Sequence, residues 1–119
     1  MRNFRKLDIW NDARKLVKEI YLITKQLPET EKYGLVTQIN RCVISIPANI
    51  AEGSAKESQK DFARFLQISL GSAFELETYL ILCADLEFLT DQYTKSIIEK
   101  IQILQKRISS LIKYTKTKL

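Results

Sequence analysis

Apolar residues recur at three- and four-residue intervals along most of this chain, the period of helices that bury one face. Ile9/Trp10, Ala13, Leu16/Val17, Ile20, Ile23 and Leu27 predict a first helix over about 8–26, with Asp8 as its N-cap and Leu27-Pro28-Glu29-Thr30 as the turn that follows. Leu35, Ile39, Val43, Ile46 and Ile50 form the apolar stripe of a second, over about 30–52. Gly53 suits the left-handed position that ends a helix. Ser58, with Asp61 three residues on, resembles a capping box and opens a third helix over about 59–87, lined by Phe62, Phe65/Leu66, Ser69/Leu70, Ala73, Leu76, Leu80 and Cys83/Ala84. The small residues Ser69, Gly71, Ser72 and Ala73 lie in mid-helix. A glycine there costs about 1 kcal/mol relative to alanine, which a closely approaching neighbour helix would offset. Thr90 caps a fourth helix over about 91–115, in which Ile97, Ile101, Leu104, Ile108 and Leu111 repeat at 4-3-4-3 spacing. Four such helices with short turns predict an all-α, antiparallel up-down-up-down bundle in one domain, 1–119.

Composition narrows the chemistry. Histidine is absent, which excludes Ser-His-Asp and Cys-His catalysis, the Glu-x-x-His di-metal site and every His-containing zinc site. Cys42 and Cys83 stand far apart in apolar contexts and read as buried free thiols. No apolar run approaches the length of a signal peptide or a membrane span, so a cytoplasmic protein without a membrane partner is expected. The formal charge is +5, and it is unevenly spread. The first eighteen residues hold Arg2, Arg5, Lys6, Arg14, Lys15 and Lys18 against Asp8 and Asp12; after Glu99 only bases occur; residues 75–91 carry five acids and no base.

The segment Ser45-Ile46-Pro47-Ala48-Asn49-Ile50-Ala51-Glu52-Gly53 is the most singular in the chain. Proline inside a helix removes an N–H and crowds the carbonyl four residues back, here that of Val43, at a cost of about 3 kcal/mol. It implies a kink, an exposed carbonyl or a close contact.

Taken in order, Phe4-x-x-Leu7-x-x-Trp10, Tyr21, Pro28-x-x-Glu31-x-Tyr33-Gly34-Leu35, Gln38-x-x-Arg41, the Ser45–Gly53 segment, Phe65-Leu66 and Gly71-Ser72-x-x-Glu75-Leu76-Glu77 resemble the bacterial four-helix-bundle proteins encoded in intervening sequences of 23S ribosomal RNA genes. The resemblance spans about residues 4–85. It implies a bundle that assembles into a cyclic homo-oligomer, a pentameric barrel, and no enzymatic activity or cofactor. A related protein, the accessory variability determinant of diversity-generating retroelements, binds nucleic acid and a reverse transcriptase through a basic surface. RNA or DNA, a reverse transcriptase or another protein thus become candidate partners.

Two sets of residues are candidate sites. Gln38, Arg41, Ser45, Asn49 and Glu52 share one stripe of the second helix, beside Pro47. They read either as a structural polar network, in which Arg41 pairs with Glu75 or Glu52, or as a subunit interface, or as a ligand site in which the carboxylates lack a His or Cys partner. Arg14, Lys15, Lys18 and Lys25 on the first helix, with Lys95, Lys106, Lys113 and Lys116 on the fourth, read either as a solubilising surface or as phosphate contacts that merge where the two helices meet. Trp10, Tyr21, Phe62, Phe65 and Phe74 fall mostly on core stripes. The leading expectation is a non-catalytic, sequence-independent nucleic-acid-binding oligomer. The alternative is an oligomeric protein–protein scaffold.

Overall fold

The computed structural model describes residues 2–119. Helix α1 spans Asp8–Thr24, α2 Leu35–Ser54, α3 Gln59–Asp85 and α4 Asp91–Lys116, and single 3-10 turns occupy Phe4–Lys6 and Glu29–Glu31. Each helix packs on its two sequence neighbours, and α4 closes back on α1, giving a four-helix up-down bundle with no strand among the described residues. The core is one cluster in which Ile20, Ile39, Val43, Ile46, Ile50, Leu66, Leu76, Leu80, Ile101 and Ile108 are shut off from solvent. No helix among the described residues is long and apolar enough to cross a membrane.

Local chemistry accounts for the ends. Ser58 Oγ accepts from the Asp61 amide at 3.0 Å and Thr90 Oγ1 from the Tyr93 amide at 3.2 Å, so both expected caps form. Asp8 is instead the first residue of α1, whose N-cap is Leu7; Asn11 Nδ2 donates to the carbonyls of Arg5 and Leu7 and ties the preceding turn to the helix. Helix α2 starts five residues later than expected, because Glu29–Glu31 closes a 3-10 turn and Gly34 takes a non-helical conformation at φ −112° and ψ −107°.

Gly53 does not end α2. It is helical and buried, and none of the described glycines has a positive φ. The left-handed terminator is Glu87 at φ 63°, after α3, where the Phe88 amide reaches back to the Cys83 carbonyl at 2.9 Å. In α4 the buried row continues through Ile112 and Thr115 and not through Leu111, which is half-buried, because a straight helix of 3.6 residues per turn drifts off a strict heptad. Phe74 lies outside the core at 55% exposure.

Candidate nucleic-acid interface and the α2–α3 face

Pro47 sits within an otherwise continuous α2, and its neighbourhood is a hydrogen-bonded unit. Ser45 Oγ donates to the Cys42 carbonyl at 2.8 Å, Asn49 Nδ2 to the Ser45 carbonyl at 2.8 Å, and the fully buried Ser69 Oγ of α3 to the Ile46 carbonyl at 2.9 Å. The proline lacks an N–H for Val43, and the nearby carbonyls of Cys42, Ser45 and Ile46 each accept a side-chain bond, which stiffens the helix on both sides of that break. Ser45 and Ser72 hydroxyls join α2 to α3 at 2.5 Å, and Cys42 Sγ donates to the Ser72 carbonyl at 2.9 Å.

The stripe anticipated on α2 therefore divides. Ser45 and Asn49 hold the helix together. Gln38, Arg41 and Glu52 are exposed and have no side-chain hydrogen bond or ion pair among the described residues. Arg41 pairs with neither Glu75 nor Glu52; the ion pairs present are Arg64–Asp61, Lys100–Glu19 and Arg107–Asp12. Glu75 instead acts on a thiol and a phenol. Burial pushes Cys42 up to about 12, with the Glu75 charge adding to it, and the same two causes raise Tyr79. Cys42 is therefore a protonated thiol near neutrality, unsuited to nucleophilic work.

Beside this polar unit α3 exposes apolar side chains. Ile68 (43%), Leu82 (40%) and Leu86 (55%) follow one flank and Phe74 and Ile81 another, while Gly71 has nothing but the adjoining backbone of its own helix within 4 Å of where its Cβ would stand. The expected close neighbour of Gly71 is absent from its own chain; the compact approach occurs at Gly53, whose Cβ would stand 2.7 Å from that of Phe65.

The basic rows are exposed as expected, and only Lys15 and Lys106 of them border the seam between α1 and α4. Helices α1 and α4 meet along their most open seam, and the bases of α4 that face α1 are Lys100 and Arg107. Each is neutralised there, by Glu19 and Asp12. Lys106 borders one end of that seam beside Leu7, Asp8 and Ile9, whereas Lys113 and Lys116 are displaced from it toward the flank of Gln102, which donates to Glu77 of α3 at 3.2 Å. On α1, Arg14, Lys18 and Lys25 point away from the seam and only Lys15 borders it. Position on one helix was readable from its period, but the side that faces a neighbour was not. Among the described residues no group of three His, Cys, Asp or Glu side chains is placed to hold a metal ion.

A small all-α bundle with a hydrogen-bonded Ser-x-Pro-x-Asn unit inside its second helix and a basic surface defines the class. The family model for 23S rRNA-intervening sequence proteins matches residues 5–110, and the chain belongs to that family. It is also similar to a crystal structure of a protein of unknown function from the S23 ribosomal protein family of Bacteroides thetaiotaomicron, at 30% identity and a TM-score of 0.82, covering 88% of this chain and 98% of the other. No curated protein matches the chain.

Proposed function

We propose that this chain is a non-catalytic, sequence-independent nucleic-acid-binding accessory protein, acting on RNA or an RNA–DNA hybrid in the cytoplasm as a homo-oligomer. The observation that carries this reading is the surplus of free cations. Of 19 Lys and Arg, only Arg64, Lys100 and Arg107 enter ion pairs among the described residues. Arg14, Lys15, Lys18, Lys25, Lys106, Lys113 and Lys116 are all exposed and outside those pairs. Long, flexible point charges suit phosphates and carry no base information. Self-association would use the α2–α3 face, where Gln38, Arg41 and Glu52 lack partners beside the exposed apolar rows of α3. A pentameric ring, which the family resemblance implies, would carry five copies of a +5 subunit.

The test is fluorescence-anisotropy binding to RNA, single-stranded DNA, duplex DNA and a hybrid across a salt series, with mass by light scattering in the same buffers. Binding by an oligomer should weaken steeply with salt, the slope counting displaced phosphate counterions. Absence of binding at low salt would refute the reading. One observation favours a second one, a protein–protein scaffold without a nucleic-acid role: the apolar rows of α3 could seat a different protein, a reverse transcriptase among the candidates. Recovery of a stoichiometric protein after nuclease treatment would support it.

A further inference from the structure

The antiparallel topology gathers at one end of the bundle three basic segments that are far apart in sequence. Arg2, Arg5 and Lys6 precede α1. Arg2 is pinned to the α2–α3 connection, its guanidinium donating to the Lys56 carbonyl at 2.9 Å and to Gln59 at 2.7 Å and lying over the Phe62 ring. That connection and the start of α3 bring Lys56, Lys60 and Arg64. The end of α4 brings Lys113, Lys116 and Lys118 to the same place, because α4 runs antiparallel to α1: Lys100 meets Glu19, Arg107 meets Asp12, and Ser110 and Leu111 lie beside Leu7 and Asp8. Across these segments nine cations face only Asp8, Glu52, Glu57 and Asp61.

The opposite end has the reverse balance. Glu29, Glu31, Asp85, Glu87 and Asp91 outnumber Lys25, Lys32 and Lys95 there. The bundle is thus electrically polar along its 45 Å length. Helix dipoles do not cause this, since each end holds two N-termini and two C-termini whose partial charges oppose one another. Side chains alone set it.

We propose that this basic end, more than the sides of α1 and α4, receives the phosphodiester backbone of a nucleic acid, with the acidic end held away from it. The inference rests on the nucleic-acid reading above and locates its contact. The end measures about 24 by 19 Å, room for roughly seven phosphates of a strand at ~3.4 Å each. Lys6, Lys60 and Lys116 lie exposed around it and outside the ion pairs of the chain. They come from three segments, which suits a charged strand laid across the end better than a pocket for a small anion.

The test compares two triple variants of equal net charge, Lys6→Glu/Lys60→Glu/Lys116→Glu at the end and Lys15→Glu/Lys18→Glu/Lys25→Glu on the side of α1. The probe is a fluorescein-labelled oligouridylate of about 20 nucleotides, titrated over a salt series, with circular dichroism confirming that both variants fold. Both variants should bind more weakly than the unaltered protein, and the end variant should lose at least about threefold more affinity than the side variant and shed about two units of salt slope. Equal losses, or a larger loss in the side variant, would overturn the location while leaving nucleic-acid binding standing. Failure of the unaltered protein to bind would overturn both. Displacement of the probe by polyglutamate as effective as by unlabelled oligouridylate would reassign the end to an acidic protein and overturn the proposal.

Discussion

Gly53 of α2 and Phe65 of α3 touch so closely that a Cβ on Gly53 would stand 2.7 Å from the Phe65 Cβ and 3.3 Å from Cδ1 of Phe62. The Phe65 Cβ is fixed to its backbone and cannot swing aside, so the helices themselves would have to part. Gly53→Ala should therefore cost about 1–3 kcal/mol through overpacking, more than the ~1 kcal/mol that alanine gains in a helix. Urea denaturation gives the number, and an unchanged or higher midpoint would contradict the contact.

Gly71 offers the opposite case. Apart from the adjoining backbone of its own helix, nothing stands within 4 Å of a Cβ built there. Gly71→Ala should stabilise the dissociated subunit by about 1 kcal/mol. Gly71→Leu should leave helix content intact and lower the mass seen by light scattering, if a second copy covers the α2–α3 face. Full-sized oligomers from the Leu variant would remove Gly71 from any subunit contact.

These two glycines show what the sequence could and could not convey. Four amphipathic helices and the caps at Ser58 and Thr90 were legible because periodicity and capping are local properties. Gly53 was misread as a terminator, since a glycine near the end of a helix looks the same whether it supplies a left-handed turn or room for Phe65. The helical period placed Arg41, Lys15 and Lys106 on their own helices correctly, but ion pairing depends on the neighbour's rotation, which no single-helix pattern contains. The Ser45, Asn49 and Ser69 bonds around Pro47 were half visible: the first two share a stripe, whereas Ser69 enters from another helix.

Glu87 holds a left-handed φ of 63° just past α3, a position that costs a side chain about 1–2 kcal/mol and costs glycine almost nothing. Glu87→Gly should accordingly raise stability by about 1 kcal/mol, part of the strain relief being offset by the freer unfolded chain. Thermal melts should show a higher midpoint with no change in helix content. A lower midpoint would mean that the Glu87 side chain contributes an interaction that outweighs the strain.

Ser69 is fully buried, and its hydroxyl serves the Ile46 carbonyl in the residue just before Pro47. Ser69→Ala removes that donor without opening a path for water. The Ile46 carbonyl keeps its bond from the Ile50 amide within α2, so the expected loss is about 0.5–1.5 kcal/mol, the net worth of one hydrogen bond. Alanine at an exposed neighbour such as Gln67 should change the urea midpoint far less. Equal, small effects at both positions would show that the Ser69 bond adds nothing to stability.

The thiols make a prediction about alkaline pH. Burial and then the Glu75 charge push Cys42 from 9.0 to about 12, and burial with Glu31 raises Cys83. A thiol with a higher pKa in the folded than in the unfolded chain keeps its proton more firmly when folded. Its contribution to stability is complete below the unfolded value and is lost as pH rises through the folded one, at up to about 1.4 kcal/mol per pH unit for each thiol. Unfolding midpoints should thus fall between about pH 9 and 10, before most lysines titrate. Cys42→Ala will have its own packing cost at every pH, so the informative quantity is the slope, which should become shallower. Glu75→Gln should lower the folded pKa of Cys42, so the decline would begin at the same pH and level off earlier. Parallel profiles for the unaltered chain and Cys42→Ala would show that the Cys42 thiolate is tolerated in the folded bundle and that its surroundings do not favour the protonated form.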